Sequence, residues 1–406
     1  MNILLINHYA GSPYYGMEFR PYYLAREWVK LGHHVTIIAA SFSHLRQHNL
    51  EVVKDFQEDI EGIKYVWLKT PKYGGSIKRV INILVFLLKL NKYKKKIVKS
   101  FKPDLVIASS TYPFDNYLAY GIAKFAGAKY CYEIHDIWPL GPIIVGGYSK
   151  WNPFIIMMQF AEDFAYKHVD KVISLLWNAE CHCIERGLKP NKFACIPNGY
   201  NPEEWTEESF KQPLPYEHRI VFDNLKGKTI VGFAGGFAAS GAVITLVKAA
   251  VILSKREDIH FVIVGKGPEK INYEKIIKEN RLENVTLLPP VQKILIPVIN
   301  SYFDIAYLGG VHSELHKYGT SYNKMTDYML CSKPIVQAVD EPGSAVERYG
   351  CGIRVDAEND EKVAEAIMRI VEMKPEERTE MGMKGRKYAE TLNWSTLADR
   401  FISEFK

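Results

Sequence analysis

Short apolar runs rich in valine and isoleucine recur along the chain, and each is followed by a stretch with helical spacing. The runs at 2–6, 34–39, 64–68, 104–109, 129–134, 171–175 and 194–197 form a first series, and those at 229–235, 260–265, 285–288, 304–308, 334–339 and 352–355 form a second. Apolar runs without alternation are the mark of strands buried on both faces, as in parallel sheets flanked by helices. The pattern therefore predicts an α/β protein with two doubly wound, Rossmann-like domains, and the length of 406 residues agrees, since it exceeds what one hydrophobic core usually serves. Between the two series, residues 201–228 carry Pro202, Pro213 and Pro215 among charged residues and show no periodicity. They place a linker at 206–227, between an N-terminal domain at 1–205 and a C-terminal domain at 228–385. The last stretch, 375–405, has helical character, with Trp394, Leu397, Phe401 and Phe405 forming an apolar stripe that must be buried.

Charge changes this picture in one place. The net charge is only +6, yet nine Lys or Arg and no acid fall between Ile77 and Lys102, which leaves the rest of the chain slightly acidic. A diffuse nucleic-acid footprint is excluded by that distribution, and a local anionic surface is the partner it fits. Within the segment Ile77, Ile81, Leu84 and Leu88 follow helical spacing, and lysines flank the apolar run at 83–88. The run is far shorter than the roughly 20 residues a spanning helix needs. It reads as an interfacial helix that dips its apolar side chains into an anionic membrane surface. An ordinary buried helix with a solvated lysine tail is the other reading. The opening strand turns polar at Asn7 and His8 without the basic flank of a secretion signal, which predicts a cytoplasmic protein, peripheral at the inner membrane face. Of six cysteines only Cys181 and Cys183 are close, and their one-residue gap fits neither zinc nor thioredoxin spacing, so reduced structural thiols and no metal are expected.

Candidate chemistry concentrates in the second half. The strand ending at Gly235 runs into Gly236-Phe237-Ala238-Ala239-Ser240-Gly241 before a helix at 243–253. A helix start of this kind presents free amides and a positive dipole end to a diphosphate, and small residues let it come close. Taken alone, the turn is equally a tight strand-to-helix connection. Gly265-Lys266-Gly267-Pro268 ends the next strand at the same carboxyl edge, where open α/β sheets place their ligands. Farther on, the loop 319–322 enters a helix beginning Asn323-Lys324, whose first-turn amides and Lys324 ammonium can hold phosphate oxygens. Asp327, one turn later, has the carboxylate needed to accept hydrogen bonds from two ribose hydroxyls, although an acid early in a helix also suits the dipole. The first strand-to-helix turn, at 8–16, lacks the glycine spacing of an NAD site.

With these segments assembled, the chain resembles the bacterial family 4 glycosyltransferases of the GT-B fold over nearly its full length. The matching elements are the loop at 7–20 before Leu24-Ala25-Arg26-Glu27-Trp28, the stretch Glu133-Ile134-His135-Asp136, the turn Ile196-Pro197-Asn198-Gly199, and the turn at 265–268. The segment 322–328 with Lys333-Pro334-Ile335-Val336 is most similar to transferases that add N-acetylated 6-deoxy sugars, of fucosamine type, in surface polysaccharide assembly such as O-antigen or capsule. The resemblance implies two facing domains and a retaining transferase with no obligatory metal or other cofactor. It places a UDP-sugar donor on the C-terminal domain and a saccharide acceptor, polyprenyl-diphosphate-linked, on the N-terminal one. It implies that the glycine loop around Gly11 and Gly16 approaches the donor phosphate, that His135 meets the transferring sugar, and that Asp327 takes the place of the second acid of a paired-glutamate motif. It also implies that the chain's end, 386–406, packs back on the N-terminal domain.

Two departures from that family stand out. Gly319 occupies the position of the first acid of the pair, and the turn 236–241 lacks the family's basic residues. Lys324 is then the leading candidate to offset the diphosphate charge, with Lys266 and Arg20 behind it, while Arg20 can equally form an ion pair with Glu18 or Glu27. Two rival readings stay open: an epimerase of GT-B fold acting on a nucleotide sugar, which shares the two-domain architecture but needs no lipid acceptor and so leaves the basic stretch unused, and a non-catalytic nucleotide-sugar binder, which the stripped turn favours.

Overall fold

The computed structural model describes residues 1–16 and 19–406, so Glu18, one expected partner of Arg20, lies outside the described residues. The chain divides into two compact units, Met1–Asn198 with Trp394–Lys406, and Gly199–Asn393. The first holds an eight-stranded sheet built from β1 (Asn2–Ile6), β2 (His34–Ala40), β3 (Phe56–Ile60), β4 (Ile63–Leu68), β5 (Leu105–Ala108), β6 (Lys129–Ile134), β7 (Lys171–Ser174) and β8 (Phe193–Cys195). Their order is β3-β4-β2-β1-β5-β6-β7-β8, and only β3 runs antiparallel among its pairings. Apolar runs at β1, β2 and β5 are buried throughout their centres, which is why they sit mid-sheet with helices on both faces. Strand β3, Phe-Gln-Glu-Asp-Ile, is a polar edge strand with no counterpart in the sequence pattern. It pairs through a hairpin whose two turn residues, Glu61 and Gly62, both take positive φ, the geometry of a two-residue primed turn.

The second unit holds a six-stranded, wholly parallel sheet: β9 (Thr229–Gly236), β10 (Ile259–Lys266), β11 (Val285–Leu288), β12 (Ile305–Gly309), β13 (Ile335–Ala338) and β14 (Gly352–Val355), ordered β11-β10-β9-β12-β13-β14. One apolar cluster, including Phe233, Leu246, Phe261 and Ile367, covers one face, and another, including Phe222, Val262, Ile299 and Met329, covers the other.

Two expected boundaries move. Residues 206–227 are not a free linker but part of the second unit, with a helix at Tyr216–Asn224 whose Phe222 stacks on Tyr302 at 4.3 Å between centroids. Pro215 sits just before that helix, where a fixed φ helps the chain enter it. The passage back to the first unit falls at Trp394 rather than near 386, because the helix Pro375–Ala389 packs on helix Asn323–Leu330 inside the second unit. Beyond it, helix Trp394–Ser403 lies along helix Arg20–Lys30. There Trp394 stacks on Tyr23 at 5.5 Å, and the Trp28 indole N–H donates to the Ala398 carbonyl at 3.0 Å.

The basic segment is one helix, Ser76–Phe101. Its buried stripe is Ile83, Phe86 and Leu90, whereas Ile77, Ile81, Leu84 and Leu88 are 78%, 47%, 52% and 69% exposed. The apolar positions that the helical spacing picked out thus face away from the core. Among the described residues no helix is long and apolar enough to cross a membrane.

Candidate active site

In the second unit β9 and β10 end together, with Gly235 paired to Gly265 and Gly236 to Lys266. A Cβ at Gly265 would lie 1.8 Å from the Gly235 carbonyl oxygen, and one at Gly267 would lie 2.4 Å from the Phe237 carbonyl oxygen. These two glycines are therefore required by the close approach of two backbones. The Phe237 amide donates to Lys266 O, and the Gly241 and Ala242 amides to Ala238 O and Ala239 O, so much of the turn is engaged within the chain. A 3-10 turn at Ala239–Gly241 and a left-handed Ala242 precede the helix Val243–Ile252, in place of a direct entry. Gly236 and Lys266 are exposed at the sheet's carboxyl edge, and nothing lies within 4 Å of where a Gly236 Cβ would be.

Gly235 plays a different part. A Cβ there would meet Lys324 Cε at 2.0 Å and Lys324 Nζ at 2.9 Å, so the lysine stem crosses directly over this α-carbon. Two segments nearly ninety residues apart in sequence are thereby joined, the glycine turn and the first turn of helix Asn323–Leu330. The ammonium lies 5.7 Å from the centre of the Phe233 ring, and burial lowers its pKa, with Asp327 offsetting part of that. Asp327 is half-buried on the same helix, and desolvation, countered in part by Lys293 and Lys324, pushes its carboxyl up to about 7. Lys293 in turn pairs with Glu204 at 2.6 Å. Asn323, at the helix start, is exposed.

Sequence reasoning missed Glu341. Buried beyond the end of β13, its carboxylate accepts from the Thr320 amide at 2.8 Å, the Thr320 hydroxyl at 2.6 Å and Gln337 Nε2 at 2.9 Å. It holds the loop that leads into Lys324, and it does so at Thr320, the residue next to Gly319. The signal available was the acidic pair Asp340-Glu341 before Pro342-Gly343 at the carboxyl end of a strand.

In the first unit His135, at the end of β6, has Nε2 3.0 Å from Ser109 Oγ and 3.3 Å from Glu133 Oε2. Ser109 Oγ donates to Glu133 at 2.6 Å, and Asn7 Nδ2 donates to the Ser109 carbonyl at 2.7 Å. The network thus draws on the carboxyl ends of β1, β5 and β6. Arg20 is a correction to the ligand role: it is buried, with Nε on Glu133 at 3.0 Å and its other nitrogens on Pro197 O at 2.8 Å and Ile196 O at 2.9 Å. Among the described residues its ion-pair partner is Glu133, not Glu27. Burial alone would raise the Glu133 pKa, but the Arg20 guanidinium and the hydrogen bonds from His135 and Ser109 bring it down to about 2. Gly16, at φ +84°, closes a tight turn whose amide donates to Ser12 O, with Gln47 packed where a side chain would be.

Against known proteins, residues 14–204 match the family described as Glycosyltransferase Family 4, and residues 228–373 match the group described as Glycosyl transferases group 1. Each half of the chain therefore carries a glycosyltransferase domain. The protein is a glycosyltransferase of GT-B fold, and the family 4 match is confined to its N-terminal half. No curated protein matches it in sequence. Among solved structures it is similar to sucrose-phosphate synthase from Thermosynechococcus elongatus, at 16% identity and TM-score 0.71, covering 99% of this chain and 98% of that one. HepE of Anabaena in complex with UDP-glucose is similar at 13% identity and TM-score 0.64, covering 99% and 98%. A glycosyltransferase from Rickettsia africae is similar at 17% identity and TM-score 0.65, covering 100% and 97%.

Proposed function

We propose that this protein moves a sugar from a UDP-linked donor, gripped by its second unit, to a saccharide acceptor with retention of configuration. The single observation that carries the reading is Lys324 lying across Gly235, which sets one cation over a glycine turn at the ligand-binding edge of a parallel sheet. A cation so placed, on the first turn of a helix, complements a diphosphate. Asp327, one turn on, accepts hydrogen bonds from the ribose hydroxyls, and its ionised form is the better acceptor. The likeness to a protein solved with UDP-glucose supports the choice of nucleotide.

In the proposed reaction the bond from the anomeric carbon to the donor phosphate breaks as an acceptor oxygen bonds to the same face of that carbon. The acceptor's proton passes to the departing diphosphate oxygen, so the protein needs no carboxylate nucleophile, which agrees with Gly319. Its contribution is positioning and stabilisation of the leaving charge by Lys324. His135, held by Ser109 and Glu133, hydrogen-bonds a hydroxyl of the transferring sugar. The sugar we favour is an N-acetylated 6-deoxyhexose, and the acceptor is a polyprenyl-diphosphate-linked saccharide of surface polysaccharide assembly, met at a membrane through 77–102.

Thermal shift with UDP, UDP-glucose and a UDP-linked N-acetylated 6-deoxyhexose tests this, since a ligand bound only by the folded state raises Tm. UDP is expected to raise Tm, and Lys324→Ala to remove most of the rise while leaving acceptor KM unchanged. A flat response to every uridine nucleotide would refute the reading.

A further inference from the structure

In the first unit the helices Ser76–Phe101, Asp115–Ala126 and Pro153–His168 follow β4, β5 and β6. All three run against the strands and pack side by side, the first on the second and the second on the third. Right-handed crossovers put them on one face of the sheet. The layer is sewn together: the Lys94 ammonium reaches to 3.5 Å from where a Gly121 Cβ would be, and Phe164 meets the rings of Tyr117 and Tyr120 at 4.6 and 5.4 Å. Its outer side carries apolar groups on every helix. Beyond the stripe on the first helix, Phe125 is 61%, Met157 52% and Phe160 65% exposed. Exposed apolar residues grouped this way mark a contact surface.

Charge selects the partner. The first helix has no acid over its whole length, and exposed Lys124 and Lys167 extend its lysines onto the other two. The neighbouring acids are already matched: Asp55 with Lys89 at 2.5 Å, and Asp163 with Arg186 at 2.7 Å. We infer that the whole outer side of this three-helix layer, and not one helix, docks on an anionic lipid bilayer, with apolar side chains in the headgroup boundary and lysines among the phosphates. The inference rests on the reading of 77–102 as a membrane contact and enlarges it from a line to a plane. A plane fixes how the unit is oriented at the bilayer, which a single helix, free to roll, does not.

The test is co-sedimentation of the full chain with vesicles of phosphatidylcholine alone or with about 30% phosphatidylglycerol, at low salt. The wild type is expected to bind only the anionic vesicles. Leu84→Glu with Leu88→Glu, and separately Met157→Glu with Phe160→Glu, should each weaken binding by about ten-fold or more, as the loss of two inserted side chains implies. Should either glutamate pair lower Tm, the matching serine pair replaces it. UDP-induced thermal shift is followed in every variant and should not change. If the second pair binds vesicles like the wild type while the first does not, the plane is wrong and the single-helix contact stands. If the wild type ignores anionic vesicles, or if the second pair instead turns a dimer into a monomer, the bilayer is the wrong partner, and the UDP response separately decides the fate of the transferase reading.

Discussion

Replacing Gly235 with alanine should disable donor binding from a position that need never touch the donor. The new methyl would lie 2.0 Å from Lys324 Cε, whereas carbon atoms rest about 3.5 to 4.0 Å apart. The obstructing atom is near the end of a flexible side chain, so the fold survives and the lysine swings away, taking its ammonium off the turn. A hydrogen bond to a charged group contributes roughly 1.5 to 3 kcal/mol, which converts to a loss of about 10- to 150-fold in UDP affinity. Calorimetric titration of UDP into the wild type, Gly235→Ala, Lys324→Ala and the double variant measures this. Both single variants should weaken binding, and the double should be little worse than Lys324→Ala, because each change removes the same contact. A Gly235→Ala protein with wild-type affinity, or losses that simply add, would refute the argument.

Gly265→Ala makes the opposite case: its methyl meets a carbonyl oxygen of the neighbouring strand at 1.8 Å, and calorimetry should show a destabilisation of about 1 to 3 kcal/mol, as overpacking brings. Arg20→Ala leaves Glu133 buried without its guanidinium, held by Ser109 and His135, and should cost about 3 kcal/mol in urea unfolding at pH 7. Because the Glu133 pKa of about 2 lies below its ordinary 4.5, the pair's stabilisation is present above pH 4.5 and lost as pH falls towards 2. The gap between variant and wild type should therefore close in acid, and a constant gap would sink the assignment. For Asp327 the sign reverses: a pKa of about 7 against an ordinary 3.8 means that ionising it in the folded state is unfavourable. Stability is lost as pH rises from about 4 to 7, so Asp327→Asn should gain on the wild type by at most about 4 kcal/mol at pH 8, less for partial exposure, while binding UDP more weakly. Equal pH slopes in the two proteins would contradict the shift.

The strands were legible in the sequence because burial on both faces leaves an uninterrupted apolar run, as in β1 and β10. Strand β3 was not, because an edge strand held by a hairpin needs no such run. Prolines at 213 and 215 read as a linker, yet they introduce a helix whose one buried aromatic, Phe222, ties it to the second unit. The glycine turns and Lys324 were each visible as segments. Their junction was not, since no periodicity encodes which side chain crosses which α-carbon. Arg20 misled for a similar reason: an arginine near a glycine loop suits a phosphate, and only the fold shows Glu133, 113 positions later, behind it.

The helix Trp394–Ser403 belongs to the unit whose other residues end at Asn198. As the chain leaves the ribosome, the Trp28 indole N–H must wait for a carbonyl 370 residues farther on, until the entire second unit has been synthesised. The first unit therefore cannot complete its packing in the order in which it is made. An isolated fragment ending at 198 should be unstable unless residues 394–406 are supplied to it, either fused or as a separate peptide.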